Sequence, residues 1–129
     1  MTYTVVPDIH ADLERLNWSI AKANGSKMID AGKLVTKPND LGVLEQVSQL
    51  INDGQASCIL GNHELNAILF HRRSFASNTP LRSHSKQNTK QHKSFIELFG
   101  VESSDALSWT AWMLETLPLW LEFDGLRIA

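Results

Sequence analysis

The chain alternates short, β-branched runs with segments of helical periodicity, and this order constrains the fold most strongly. Residues 3–6 are rich in threonine and valine, and residues 56–60 form a second apolar run, so both predict buried strands. Helical spacing of apolar residues predicts helices over residues 12–24, 40–51 and 65–70. Such alternation is typical of an α/β fold with mostly parallel strands.

The chain changes character after residue 70, where a basic stretch begins. Between Glu64 and Glu97 there is no acidic residue, and half of the 12 lysines and arginines lie there: Arg72, Arg73, Arg82, Lys86, Lys90 and Lys93. We interpret residues 71–94 as a lid-like basic insertion, and call it the basic insertion. A solvated loop and helix face, or a salt-sensitive interaction module, are the alternatives.

Three further elements are predicted around and beyond the basic insertion. Residues 86–99 and 104–114 have helical periodicity, and residues 119–123 and 126–129 predict a hairpin that turns at Asp124-Gly125. The histidines of the insertion are interpreted as surface or lid residues: His71, His84 and His92.

The composition predicts one domain in a reducing compartment. A length of 129 residues suits a single domain, and a net charge of −2 gives no reason to expect a nucleic acid or a membrane as partner. The one cysteine, Cys58, forms no internal disulfide and is interpreted as a buried, inert thiol. No signal peptide or membrane span is visible, so we expect a cytoplasmic protein.

Asp8-Ile9-His10 follows the first predicted strand directly. Alternate residues of an extended segment point the same way, so the carboxylate of Asp8 and the imidazole of His10 are expected to converge. An oxygen and an imidazole nitrogen together suit a transition metal. The alternative is a chance triplet in which Asp8 caps the next helix.

Gly61-Asn62-His63-Glu64 follows the second predicted strand in the same way. The glycine permits a sharp turn, Asn62 offers a neutral oxygen ligand, and His63 can donate a proton. The alternative is a strand-to-helix turn with an asparagine cap. Because ligands bind at the carboxyl ends of strands in α/β sheets, the two motifs are expected to meet at one edge.

Asp-x-His followed by Gly-Asn-His-Glu resembles the calcineurin-like metallophosphoesterases, which include protein serine/threonine phosphatases and diadenosine tetraphosphatases. Residues 61–68, 84–95, 117–121 and 125–127 look like a bacterial branch of that superfamily. The resemblance implies a β-sandwich flanked by helices. Residues 1–129 would then be a single partial domain that lacks the C-terminal half of the fold.

The resemblance also implies a two-metal site. Asp8 and His10 would ligate the first ion, Asn62 the second, and His63 would be the general acid. The ions would be divalent manganese, iron or zinc, and a bridging water would attack the phosphorus. The reaction would be hydrolysis of a phosphomonoester or phosphoanhydride.

The implied substrates are anionic. They would be a phosphorylated small molecule, a nucleotide or a phosphoprotein, and we expect Arg72 and Arg73 of the basic insertion to contact the phosphate. Nucleic acid is not expected, because few aromatic residues interleave with the basic ones.

The chain departs from the family pattern in its middle. The family carries Gly-Asp-x-x-Asp-Arg-Gly, but no Gly-Asp occurs here. In the preferred alignment Asp30 matches the second aspartate and could pair with His63 in catalysis, while Lys27 replaces the metal-bridging one. In the other alignment Lys33 replaces it. A lysine there repels the metals, so activity is expected to be impaired; the alternative is an inactive remnant that binds phosphate, one metal or a partner.

A second departure lies at the end of the chain. In the family, further metal-binding histidines follow the strand that residues 126–129 would begin. Without the sheet that would cover this half, apolar surface over residues 120–129 is expected to be exposed. Self-association is therefore among the expected properties of this chain.

Overall fold

The structure is a computed structural model, and it describes residues 4–6, 9–24 and 38–129. These residues form six helices and one small sheet, with the bounds α1 Leu13–Ala23, α2 Asp40–Asn52, α3 Asn62–His71, α4 Lys86–Gln91, α5 Lys93–Phe99, α6 Ser104–Thr116, β1 Leu121–Phe123 and β2 Leu126–Ile128. None of these helices has the length and apolarity that crossing a membrane requires.

Side-chain caps set the starts of α1 and α2. Asp12 accepts a hydrogen bond from the backbone N–H of Arg15 (3.0 Å), which confirms the predicted start of α1. In α2 the cap is Asn39, whose side chain accepts from Gly42 N (2.9 Å). The helix therefore begins at Asp40, the first residue of the predicted range. Asp40 lies in the first turn, where its negative charge suits the helix dipole.

The helix predicted over residues 86–99 is broken at His92. This residue is both the C-cap of α4 and the N-cap of α5, with φ −108° and ψ 17°. Its imidazole stacks on the ring of Phe95, with ring centroids 4.6 Å apart. Helical periodicity could not reveal this break, because α4 and α5 are both helical and are separated only at His92.

The core lies mainly between α3 and α6, which pack extensively against each other. On α6 the buried residues recur every three or four positions, as one face of a helix requires. Further packing joins α1 to α2, α2 to α5 and α4 to α5. The buried cluster consists of Ala67, Ile68, Phe95, Ala106, Met113 and Leu117.

The described sheet is a hairpin, as predicted at Asp124-Gly125. β1 and β2 pair antiparallel, and both turn residues have positive φ, at 44° and 85°. Such a turn matches the natural twist of a two-residue hairpin. The apolar side chains near the hairpin are exposed, among them Leu119, Trp120 and Leu126. Self-association that would cover them stays a prediction.

The predicted strands before the hairpin differ from the described structure. Residues 4–6 and 56–60 belong to no helix or strand, and Leu60 donates a single backbone hydrogen bond to Pro118 (2.7 Å). A strand needs a hydrogen-bonded ladder with a neighbour, and the described residues supply none here. The α/β class, the β-sandwich and the partial domain stay predictions.

Candidate active site

Helix α3 begins inside the Gly61-Asn62-His63-Glu64 motif. Glu64 folds back so that its Oε2 accepts a hydrogen bond from the N–H of Gly61 (3.0 Å). A Cβ atom at position 61 would lie 2.6 Å from that oxygen, so glycine is what allows the carboxylate to close on the backbone. Asn62 and His63 are then the first two residues of the helix, and both are exposed. The motif therefore presents an amide and an imidazole at a helix N-terminus.

We expect Glu64→Ala to lower the free energy of unfolding by about 0.5–1.5 kcal/mol, because the Gly61 N–H loses its partner. Glu64→Gln keeps an acceptor oxygen at the same place and should stay within about 0.5 kcal/mol of the parent. Glu115→Ala, at an exposed position of α6, is a matched control. Urea denaturation of the four proteins measures the differences, and equal losses for the two Glu64 variants would contradict the capping role.

His10 lies beside His63 although the two motifs are far apart in the sequence. Their ring centroids are 5.1 Å apart and the rings meet edge to face, at 79°. Both residues are exposed. The structure thus brings together one residue of each predicted motif, at the N-terminus of α3.

His10 occupies a tight turn and not the extended segment that we predicted. His10 and Ala11 both have left-handed backbone conformations, with φ 53° and 56°. Such conformations cost non-glycine residues on the order of 1 kcal/mol or more and cluster at functional sites. The turn is closed by a hydrogen bond from Asp12 N to Ile9 O (3.1 Å), and Asn39 N donates to Ala11 O (2.7 Å). These bonds tie the position of His10 to the starts of α1 and α2.

Two predicted site residues, Asp8 and Asp30, lie outside the described residues, as do Lys27 and Lys33. In the described ranges no group of three or more histidine, cysteine, aspartate or glutamate side chains is arranged to hold a metal. Metal binding at this position thus depends on Asp8 in addition to His10 and stays a prediction.

Arg72 and Arg73 lie at the opposite end of α3 from His63. Ten helical residues at about 1.5 Å each place the two ends about 15 Å apart. Within the part of the chain that is described, Arg72 Nε is buried without a hydrogen-bond partner. The structure therefore does not bring these arginines together with Asn62 and His63, and their contact with substrate stays a prediction.

Arg73 is engaged in a bidentate ion pair. Its Nε and Nη2 donate to the two carboxylate oxygens of Glu102 (2.7 and 3.0 Å), and Nη1 donates to the carbonyl of Asn78 (2.7 Å). Hydrogen bonding from Arg73 lowers the pKa of the Glu102 carboxyl. The guanidinium thus fixes the basic insertion to the segment before α6.

The interpretation of the insertion histidines as surface or lid residues was wrong for His71. His71 is 2% exposed and His92 is half-buried, whereas His84 is exposed. All three rings surround Phe70, with centroids between 4.0 and 5.2 Å from its ring. The sequence held a signal for His71, which continues the buried face of α3 four residues after Ala67.

Cys58 is half-buried, whereas the sequence predicted a buried thiol. It packs against the core, and burial, followed by the nearby charge of Glu64, raises the pKa of its thiol. A raised pKa keeps sulfur protonated at neutral pH, and the thiolate is the nucleophilic form.

Comparison of the chain with protein-family models, curated proteins and solved structures finds no match. The resemblance to the metallophosphoesterases thus depends on the short motifs and on the arrangement of their residues.

Proposed function

We propose that the chain is a metal-dependent hydrolase of phosphate esters in which His63 is the general acid. The observation that supports this most is the 5.1 Å separation of the His10 and His63 rings. These two histidines come from separate motifs, both of which resemble a metallophosphoesterase site, and they lie together although they are 53 positions apart in the sequence. The left-handed backbone at His10 adds support, because such strain clusters at functional sites.

The N-terminus of α3 would receive the phosphate. The first N–H groups of a helix have no partners within the helix, and the helix dipole favours negative charge there. The Glu64 carboxylate accepts from the Gly61 N–H, so the N–H groups of Asn62 and His63 remain for a ligand at the exposed end of the helix. A phosphate oxygen could accept from them while the imidazole of His63 lies beside the ester.

His63 would donate a proton to the leaving oxygen. Histidine is the side chain that acts most often in this role near neutral pH. The exposed position of His63 on the first turn gives an ester access to its ring. The adjacent ring of His10 restricts the directions that the His63 imidazole can adopt.

Divalent manganese, iron or zinc, when bound, would supply an activated water and neutralise charge on the phosphate. Asp8, His10 and Asn62 are the residues that would hold the ions. Their carboxylate, imidazole and amide groups are donor types that such metals accept.

The second candidate is an inactive remnant that binds phosphate without hydrolysing it. It is favoured by the absence of a Gly-Asp dipeptide, with Lys27 or Lys33 where the family has the bridging aspartate. A positive charge at that place repels metal ions by several kcal/mol, on the order expected at about 4 Å. Phosphate would then bind at the α3 N-terminus alone.

Hydrolysis of phenyl phosphate with added manganese tests the proposal, because its leaving group is a phenolate of pKa ~10 that needs a proton to depart. We expect turnover that falls about 10²- to 10⁴-fold in His63→Ala and His63→Gln, since a general acid contributes that much. His84→Gln is the matched control, because His84 is an exposed histidine near the other end of α3. It should keep turnover within about threefold of the parent.

The two candidates differ in a second measurement, the binding of inorganic phosphate followed by NMR of the Asn62 and His63 amides. Shifts of these amides without any manganese-dependent turnover would favour the remnant. Turnover that is unaffected by loss of His63 would contradict the hydrolase proposal as stated.

A further inference from the structure

His71, which is buried, and His92, which is half-buried, form a pair away from the candidate active site. Their Nε2 atoms are 2.9 Å apart, within hydrogen-bonding distance, and the backbone N–H of Glu102 donates to Nδ1 of His71 (3.0 Å). His71 ends α3, and His92 joins α4 to α5. The pair therefore connects the start and the end of the basic insertion.

The hydrogen bonds fix the tautomer of each ring. Because His71 Nδ1 accepts from Glu102, the neutral His71 ring carries its proton on Nε2. That Nε2–H donates to His92 Nε2, so the neutral His92 ring carries its proton on Nδ1. The two nitrogens that remain free of protons are both acceptors of protein N–H groups. A further proton on either ring must break one of these two hydrogen bonds.

The charges around the pair also oppose protonation. His84, whose Nε2 donates to the carbonyl of Phe70 (2.7 Å), faces His71, and Arg82 faces His92. The negative charge of Glu102 favours protonation of His71, but the Glu102 carboxylate is already in an ion pair with Arg73. The two lysines that flank His92 in sequence, Lys90 and Lys93, are exposed.

We propose that His71 and His92 are an acid-sensitive latch: uptake of one proton by the pair breaks its hydrogen bonding and releases the basic insertion from α3. The proton comes from solvent and adds to His92 Nε2 or to His71 Nδ1. In the first case two N–H donors face each other across 2.9 Å with no acceptor between them. In the second case the Glu102 N–H loses its acceptor.

Two backbone hydrogen bonds can be used to detect release of the insertion, because they join its middle to residues at or just before its start. Leu81 N donates to Arg72 O (2.8 Å), and Arg82 N donates to Leu69 O (2.9 Å). Release of the insertion exposes both amides to exchange with solvent. Amides in α6 lie outside the insertion and should keep their protection until the whole chain unfolds.

The direction of the pH effect follows from linkage. Burial, then the charges of His71 and Arg82, lower the pKa of His92 from 6.5 to about 4. Burial followed by the charge of His84 lowers the pKa of His71 as well. The opened insertion exposes these rings and binds protons more readily, so the closed state is favoured fully above pH ~6.5. This preference is lost as the pH falls towards ~4.

Hydrogen exchange between pH 7 and pH 4 tests the latch, with protection factors that correct for intrinsic exchange rates. In the parent protein the protection of Leu81 and Arg82 should fall about ten- to a hundredfold. In His92→Gln the fall should be clearly smaller than in the parent, because the glutamine oxygen accepts from His71 without titrating and only His71 Nδ1 can still take up a proton. Lys86→Gln, at an exposed position of α4, leaves the pair intact and should respond as the parent does.

An equal fall in His92→Gln and the parent overturns the latch, and so does a parent whose two amides keep their protection at pH 4. If His92→Gln does not fold, the ¹⁵N imidazole shifts of the parent at pH 7 decide. They must show His71 with its proton on Nε2 and His92 with its proton on Nδ1. The same tautomer for both rings overturns the proposal.

Discussion

Phe70→Ala is expected to lower the free energy of unfolding by about 3–5 kcal/mol, the usual cost of emptying a buried phenylalanine site. Phe70 is 1% exposed. Its ring stacks on His84, with centroids 4.0 Å apart and an angle of 23°, and lies 5.2 Å from the rings of both His71 and His92. Truncation would leave a cavity among groups that cannot close it without breaking their hydrogen bonds.

Phe75→Ala is the matched control, because Phe75 lies in the same insertion and its side chain is fully exposed, at 110%. It should stay within about 0.5 kcal/mol of the parent. Thermal and urea denaturation measure both variants, with a loss of roughly 10–20 °C in Tm expected for Phe70→Ala. Equal losses of stability in the two variants would contradict the buried position of Phe70 among the three histidine rings.

The elements that the sequence predicted best are those determined by local chemistry. The Asp12 cap and the end at Asn24 bound α1 as expected, and Asp124-Gly125 forms the hairpin turn. Each of these features depends on the conformational preferences and hydrogen bonds of a few adjacent residues. Local patterns identify them without any knowledge of the rest of the fold.

The predictions that failed depend on distant partners. The apolar run over residues 56–60 looks the same in sequence whether or not a neighbouring strand exists, and the described structure offers it one backbone bond to Pro118. His71, together with His92, was interpreted as a surface or lid residue because both lie in the basic insertion. Only the folded chain brings their rings together and supplies the Glu102 N–H that satisfies His71.

The candidate site was predicted in part. Two motifs at the ends of predicted strands led us to expect His10 near His63, and their rings are neighbours. The left-handed turn at His10 could not be predicted, because one of the two hydrogen bonds that hold it comes from Asn39, far along the chain. Arg73 was assigned to substrate because no carboxylate is near it in sequence, yet Glu102 pairs with it in the fold.

Met113→Ala is expected to lower the free energy of unfolding by about 2–5 kcal/mol. Met113 is 3% exposed and lies on the face of α6 that packs against α3, in the cluster that includes Ala67 and Ile68. Because Asn62 and His63 lie at the N-terminus of α3, loss of this packing should also loosen the candidate site. Met113→Leu keeps most of the volume and should cost less than about 1.5 kcal/mol.

The next residue in the chain, Leu114, provides the control that separates packing from helix propensity. Leu114 is 52% exposed, so Leu114→Ala removes a similar volume from the solvent side of the same helix. Alanine favours helix at least as well as either parent residue, so propensity cannot explain a loss in either variant. Urea denaturation should show the large loss for Met113→Ala alone. A loss below about 1 kcal/mol for Met113→Ala would mean that this face of α6 does not pack against α3. The packing that holds the N-terminus of α3 in place would then be missing.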